Sequence, residues 1–377
     1  MVRQREVRAV LTAPDPPTDL DRVHARLDDF FATRVREAEA YHPAYARLWK
    51  ICGERTAGGK RIRPRLMLDI AEALGSSPEG SPADPDAAID IAAAIELLHT
   101  SFLLHDDVFD GDLTRRGTPN LIGVLAADSP AHLAASPLAT TDAQRLHWAR
   151  SCGILMGDLL LAEVHQIFAR VDVAIEARTQ LLDLLAHAIT ESVVGEQLDI
   201  GLEDRTIIAD TATVLEMCRL KTATYTFELP LRAAAILTGV TSPTTHAALS
   251  AAGAHLGLAF QLQDDLLSTF GDPAEHGKDA FSDLREGKET AVIAAARMTT
   301  AWPEIEPAFG TGQLERAAGL RLQELLRECG AEQFVQRLID DQTRALHETL
   351  ADQANGVPDA ARRSLLALAD RLEGRRA

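Results

Sequence analysis

Aromatic side chains are scarce here: three Tyr, three Trp and eleven Phe among 377 residues. Ala and Leu dominate a hydrophobic fraction of 46%, so helices are favoured over strands and an all-α protein is the first expectation. Cysteine is equally sparse. Cys52, Cys152, Cys218 and Cys329 lie far apart with no metal-ligand or redox spacing, which argues against a disulfide framework and for ordinary thiols in a reduced, cytoplasmic setting. Positive charge is in deficit, with a formal net charge of -18. Nucleic acid and anionic membrane surfaces are therefore poor partners, and any bound phosphate must be held by local cations. No segment is expected to be long and apolar enough to span a bilayer, so no stable membrane association is expected. The N-terminal apolar stretch behind Arg3, Arg5 and Arg8 is short and runs into Pro14, Pro16 and Pro17, unlike a secretory signal.

What is present is helical periodicity over long stretches. Residues from Met1 to about Asp19 form a polar, proline-rich tail; Thr18 or Asp19 caps the first helix, and residues 20–377 are expected to form one domain. Apolar residues recur at helical spacing over Asp142–Ala169, Thr179–Leu202, Ala212–Leu237 and Pro243–Leu267. Ser76–Asp86 and Ala126–Thr141, rich in Ser, Pro, Asp and Ala, read as surface loops. No repeat of solenoid period is found. Long segments with broad apolar faces fit a single helical bundle around a central cavity.

The most informative stretch, Glu96 to Asn120, reads ELLHTSFLLHDDVFDGDLTRRGTPN. On a helix Asp106 and Asp110 share a face, Asp107 is adjacent, and His99 lies two turns upstream on nearly the same stripe. Three carboxylates gathered at one helix end raise one another's pKa unless cations neutralise them. Magnesium suits that task, because it takes one or two carboxylates together with phosphate oxygens and water. Arg115 and Arg116 follow, with guanidinium forks that suit phosphate oxygens. Taken alone, this stretch is equally a solvated acidic helix end before a basic loop. A second acidic site shifts that balance. Phe260 to Thr290 places Asp264 and Asp265 near the end of another long apolar helix, trailed by Lys278 and Lys288. Two carboxylate clusters, each followed by cations, can hold a magnesium–diphosphate from both sides and neutralise it as it leaves.

In these motifs the chain resembles the trans-prenyltransferase (polyprenyl synthetase) family, over about Ala25 to Thr290. Asp106, Asp107, Asp110, Arg115, Arg116 and Gly117 match without gaps the family's DDxxD followed by RRG. GGKRIRP, Gly58–Pro64, resembles its isopentenyl-diphosphate motif, and GDLLLA at Gly157–Ala162 and KTATYTF at Lys221–Phe227 match further ones. The resemblance implies that Gly59, Lys60, Arg63, His99 and Arg116 line the isopentenyl diphosphate site. It implies that Arg115, Lys221 and Lys278 meet the allylic diphosphate, with Thr222 and Gln261 near the developing cation; Lys288, in the same loop as Lys278, is a further substrate-binding candidate. Asp106, Asp107, Asp110, Asp264 and Asp265 would coordinate magnesium, three ions with bound diphosphate, directly or through water. Phe102, four residues before Asp106 and beside the small Ser101, would floor a pocket of intermediate depth. Relatives with that pattern commonly stop at farnesyl or geranylgeranyl diphosphate, and geranylgeranyl is the expectation; a packed core aromatic is the other reading of Phe102. A homodimer is the family expectation.

The chain departs from the family pattern in three respects. Ser268 stands where many relatives have a third aspartate, Glu196 where they often have glutamine, and Ala126–Thr141 looks like an insertion. Asp199, in the same segment as Glu196, is therefore carried over only weakly. Two rivals stay open at this point. A class I terpene cyclase shares the fold and the ionisation, and DDLLSTFGD at Asp264–Asp272 resembles its pattern, but a cyclase has no use for a second diphosphate pocket. A non-catalytic regulatory subunit would be expected to lose the acidic and basic residues that this chain retains.

Overall fold

The computed structural model describes residues 18–128, 141–271 and 281–373. Helix α1 (Asp19–Glu39) starts at Thr18, whose side chain and that of Asp21 form a capping box. The helix thus includes Asp19, one residue ahead of the expected boundary. Helices α2 (Pro43–Thr56) and α3 (Ile62–Gly75) lead to α4 (Pro85–Phe109), capped by the Asp84 side chain with Pro85 in the first turn. Pro85 and Asp86 therefore belong to a helix, and the Ser76 loop ends before them.

Helix α4 is largely apolar, and from Ala87 to Leu98 nearly every residue is buried. A helix of that kind belongs at the centre of a bundle. It packs against α6 (Asp142–Arg170), α3 and α1. By length and composition, α4 and α6 are both able to cross a membrane, which corrects the expectation that no segment is. The two differ in burial: 72% of the apolar window of α4 lies inside the structure and 39% of that of α6. Trp148, Ile154 and Leu155 of α6 stay exposed.

After α7 (Ile175–Glu203) comes the stretch expected as one helix over Ala212–Leu237. It is instead α8 (Thr211–Cys218), a π-helix over Arg219–Glu228 and α9 (Leu229–Leu237). The Leu229 N–H reaches back five residues to the Thr224 carbonyl. Pro230 explains the widening, because its ring has no N–H and would strike the carbonyl four residues back in an α-helix. A wide turn needs room. Gly195 of α7 and Gly253 and Gly257 of α10 (Pro243–Phe270) provide it, since a Cβ at any of them would collide with Lys221, Glu228 or Ala223.

Helix α10 runs through both hydrophobic clusters. Leu249, Ala252 and Leu256 belong to the larger one with α4, whereas Leu262, Leu266 and Phe270 belong to a second with Val292, Ile293, Leu326 and Val335. Helices Ala331–Ala351 and Asp359–Glu373 pack on its outer side. The only strands among the described residues are Thr114–Arg115 and Thr118–Pro119, an antiparallel hairpin. Its turn residues Arg116 and Gly117 both have positive φ, 54° and 74°, as a type I′ turn requires. Helix α5 (Leu121–Ala127) then takes in Ala126 and Ala127, which were expected in the loop, and Asp128 beyond it pairs with Arg47. Most of the expected insertion, residues 129–140, lies outside the described residues.

Candidate active site

The acidic end of α4 meets the π stretch through Lys221. Its Nζ lies 3.1 Å from Asp106, 3.0 Å from Glu196 and 2.7 Å from Asp199. These four side chains lie between helices yet keep accessibilities of 24, 20, 21 and 19%, so solvent reaches the space they face. Arg115, turned back by the hairpin, donates to Asp106 at 2.9 Å and Asp107 at 2.6 Å. Burial alone would raise the Asp106 carboxyl, but Lys221 and Arg115 bring it below its ordinary value. Burial likewise opposes charge on Lys221, and Asp199, Asp106 and Glu196 outweigh it and hold the ammonium charged. One turn on, Asp110 receives Lys288 at 2.7 Å. Burial works against the Lys288 ammonium too, and Asp110 raises its pKa despite it.

The three carboxylates of the first motif have different partners in the structure. Asp107 is only 3% exposed and engaged by Arg115, and burial pushes its carboxyl up to about 6. Among the described residues, no three His, Cys, Asp or Glu side chains are placed to hold one ion together. Asp106 and Asp110 nonetheless fit magnesium. Each presents a hard oxygen donor to a cation already, and magnesium needs only one or two carboxylates when phosphate and water complete its shell.

On the second acidic helix, Asp264 keeps some exposure while Asp265 is buried. The Asp265 oxygens accept from Gln261 Nε2 at 2.9 Å and from the Ala291 backbone N–H at 3.3 Å. Burial pushes its carboxyl up to about 7. Gln261 in turn accepts from the Thr222 hydroxyl at 2.7 Å. Lys221 and Thr222, adjacent on the π stretch, thus tie α4 to α10. Ser268, at the variable third position of the second motif, bonds to Asp283 from the helix Ser282–Glu286. Lys278 lies outside the described residues.

A second group of side chains, around Arg63 and His99, is rich in cations. Arg63 donates to the Tyr225 hydroxyl at 3.0 Å and to Thr226 at 2.9 Å, with its guanidinium 4.7 Å from the Tyr225 ring centre. His99 stacks on the same ring, and Phe102 meets it edge-on at 5.1 Å. Desolvation first, then Arg63, Arg115, Arg116 and Arg61, depress the His99 pKa well below its usual value. Such a concentration of positive charge around a neutral imidazole suits an anion. Gly59, with φ +86°, is where the backbone passes the Arg116 guanidinium; a Cβ there would lie 2.8 Å from it. Lys60 is exposed and forms no ion pair among the described residues.

Sequence reasoning passed over Tyr225, although KTATYTF was in view, and over Arg61. Arg61 is buried with Glu96 at 2.6 Å and donates to the Thr56 carbonyl, so it braces the GGKRIRP segment from below. Glu196 proves to be a partner of Lys221, and Asp199 lies closer still. Burial, with Asp106 and Asp199 nearby, pushes the Glu196 carboxyl up to about 7 despite Lys221. A carboxyl raised above its unfolded value keeps its full stability below about pH 4.5 and loses it as pH climbs through about 7. Glu196→Gln is therefore expected to melt above the wild type at pH 8 in chelator, with the gap closing toward pH 5. An equal gap at both pH values would contradict this.

The profile of the family described as "Polyprenyl synthetase" matches residues 47–312. A short chain isoprenyl diphosphate synthase of Methanothermobacter thermautotrophicus is 34% identical over 64% of this chain and 64% of its own length. A geranylgeranyl diphosphate synthase of Methanosarcina mazei is 30% identical over 75% of this chain and 76% of its own. Among solved structures, a geranylgeranyl pyrophosphate synthase from Corynebacterium glutamicum, complexed with isoprenyl diphosphate and magnesium, superposes with a TM-score of 0.83. That pair is 31% identical, over 94% of this chain and 98% of the other.

Proposed function

The chain belongs to the polyprenyl synthetase family of trans-prenyltransferases, and on that premise we propose that it condenses isopentenyl diphosphate with an allylic diphosphate to give geranylgeranyl diphosphate. The observation that carries this reading is the presence of two distinct anion stations. One combines carboxylates with cations: Asp106, Asp110, Arg115, Lys221 and Lys288. The other, around Arg63, His99 and Arg116, is dominated by cations. The first suits a metal-bound diphosphate that departs, the second a diphosphate that stays. A terpene cyclase would leave the second station without a ligand.

Magnesium, held by Asp106, Asp110 and Asp264, would act as a Lewis acid on the leaving diphosphate. Arg115, Lys221 and Lys288, with Lys278, meet the charge that develops as the allylic carbon–oxygen bond breaks. Asp107 and Asp265 act one layer behind, Asp107 by holding Arg115 and Asp265 by orienting Gln261. Thr222 and Gln261 set oxygen dipoles near the allylic cation. Apolar helices keep water from it. The isopentenyl double bond attacks that cation, a new carbon–carbon bond forms, and released pyrophosphate accepts the proton lost next. The exposed apolar residues Trp148, Ile154 and Leu155 of α6 are covered by a second copy in a homodimer; sedimentation as a monomer at micromolar concentration would refute this. The buried thiols, with Cys52 pushed by burial up to about 12, fit a reduced cytoplasm.

The chain-length assignment rests on Phe102, whose half-buried ring lies one turn before Asp106 on α4 and against Tyr225. Ser101 opens no space, since it is buried and donates to the Gly157 carbonyl. Chromatography of products made with magnesium and dimethylallyl or farnesyl primers tests the assignment. A twenty-carbon product is expected from either primer, and a fifteen-carbon end product from dimethylallyl, or a product longer than twenty carbons from either, would overturn it. Phe102→Ala should retain turnover and lengthen the product. If it instead loses about 3–5 kcal/mol of stability, the range for a core aromatic, with unchanged products, Phe102 is not the floor.

A further inference from the structure

Resting on the reading that the Arg63 and His99 station holds isopentenyl diphosphate, we propose that Tyr225 is its positioning residue, fixing both the Arg63 guanidinium and the His99 tautomer so that each presents a donor to that diphosphate. The phenol oxygen accepts from Arg63 Nη2 at 3.0 Å, so its own hydrogen is left to donate. The neighbouring acceptor is His99 Nδ1, 3.4 Å away. An imidazole that accepts at Nδ1 and is kept neutral by desolvation and four arginines carries its proton on Nε2. That N–H has no partner among the described residues and is the donor available to an anion.

Without the phenol, neutral His99 would populate both tautomers. The one protonated at Nδ1 turns a lone pair toward the diphosphate and repels it. The ring itself cannot swing out of register. Arg63 covers one part of it, His99 stacks on it at 5.9 Å, and Phe102 abuts it at 5.1 Å. The π-helix contributes as well: with i to i+5 bonding, residues four and five apart line up. Lys221 at the first station and Tyr225 and Thr226 at the second thereby lie on one side of the same segment.

Tyr225→Phe keeps the ring and its contacts and removes only the hydroxyl. The KM for isopentenyl diphosphate is expected to rise about tenfold or more, the effect of losing hydrogen bonds to charged groups. The KM for the allylic substrate and the melting temperature should not change. Nitrogen NMR of His99 should show Nδ1 unprotonated in the wild type and a tautomer mixture in the variant. Unchanged KM values, or both KM values rising together with a lowered melting temperature, would overturn the proposal, the latter by marking Tyr225 as a structural brace. A wild type that makes no elongated product refutes the functional reading instead, and the NMR comparison still decides whether Tyr225 sets the tautomer.

Discussion

Asp106→Ala is expected to lower kcat on the order of a hundred- to a thousandfold, the range for removing one electrostatic contact to a developing charge. Asp106 is the residue on which Lys221, Arg115 and the proposed magnesium meet. Its loss removes a metal ligand and unties two cations together. Folding should survive, because Lys221 keeps Asp199 and Glu196 and Arg115 keeps Asp107. The check is steady-state turnover alongside circular dichroism. Turnover within threefold of the wild type in a folded variant, or full wild-type turnover in chelator, would sink the metal-site assignment.

The largest effect on stability is expected away from the chemistry, at Arg61. Its partner Glu96 lies on α4, and both side chains are almost fully enclosed, at 5% and 10% exposure. Arg61→Met leaves a buried carboxylate with no counter-charge, at a cost of about 3–5 kcal/mol. The double variant Arg61→Met with Glu96→Leu removes both charges and should recover most of that loss, since apolar replacement of a whole buried pair is often neutral. Denaturant unfolding of the wild type, the single and the double variant checks the order. A single variant as stable as the wild type, or a double no better than the single, would show that the pair does not brace the segment. Arg61 has φ +46°, so part of what Glu96 holds is a left-handed backbone at the entry to α3.

The helices were legible because their apolar spacing is regular, and α4 and α10 carry their aspartates where the pattern put them. The two acidic motifs and their trailing cations were legible as residue types at fixed spacing. What spacing cannot convey is direction. The spacing of the aspartates does not reveal that Asp107 is bonded to Arg115 and Asp265 to Gln261. The π-helix was hidden because helical periodicity does not distinguish four from five residues per hydrogen-bonded step. Pro230 within the run was the one signal of it. Tyr225 was hidden because its partners are 126 and 162 positions away. The membrane-length character of α4 was missed because charges at its acidic end mask a long, largely apolar core.

The most direct test measures pyrophosphate release by purified protein in magnesium with each substrate alone and with both. The proposed function predicts release only when allylic and isopentenyl diphosphates are present together, one pyrophosphate for each isopentenyl unit incorporated. Release from the allylic diphosphate alone, with hydrocarbon or alcohol as the product and no isopentenyl unit consumed, would contradict it.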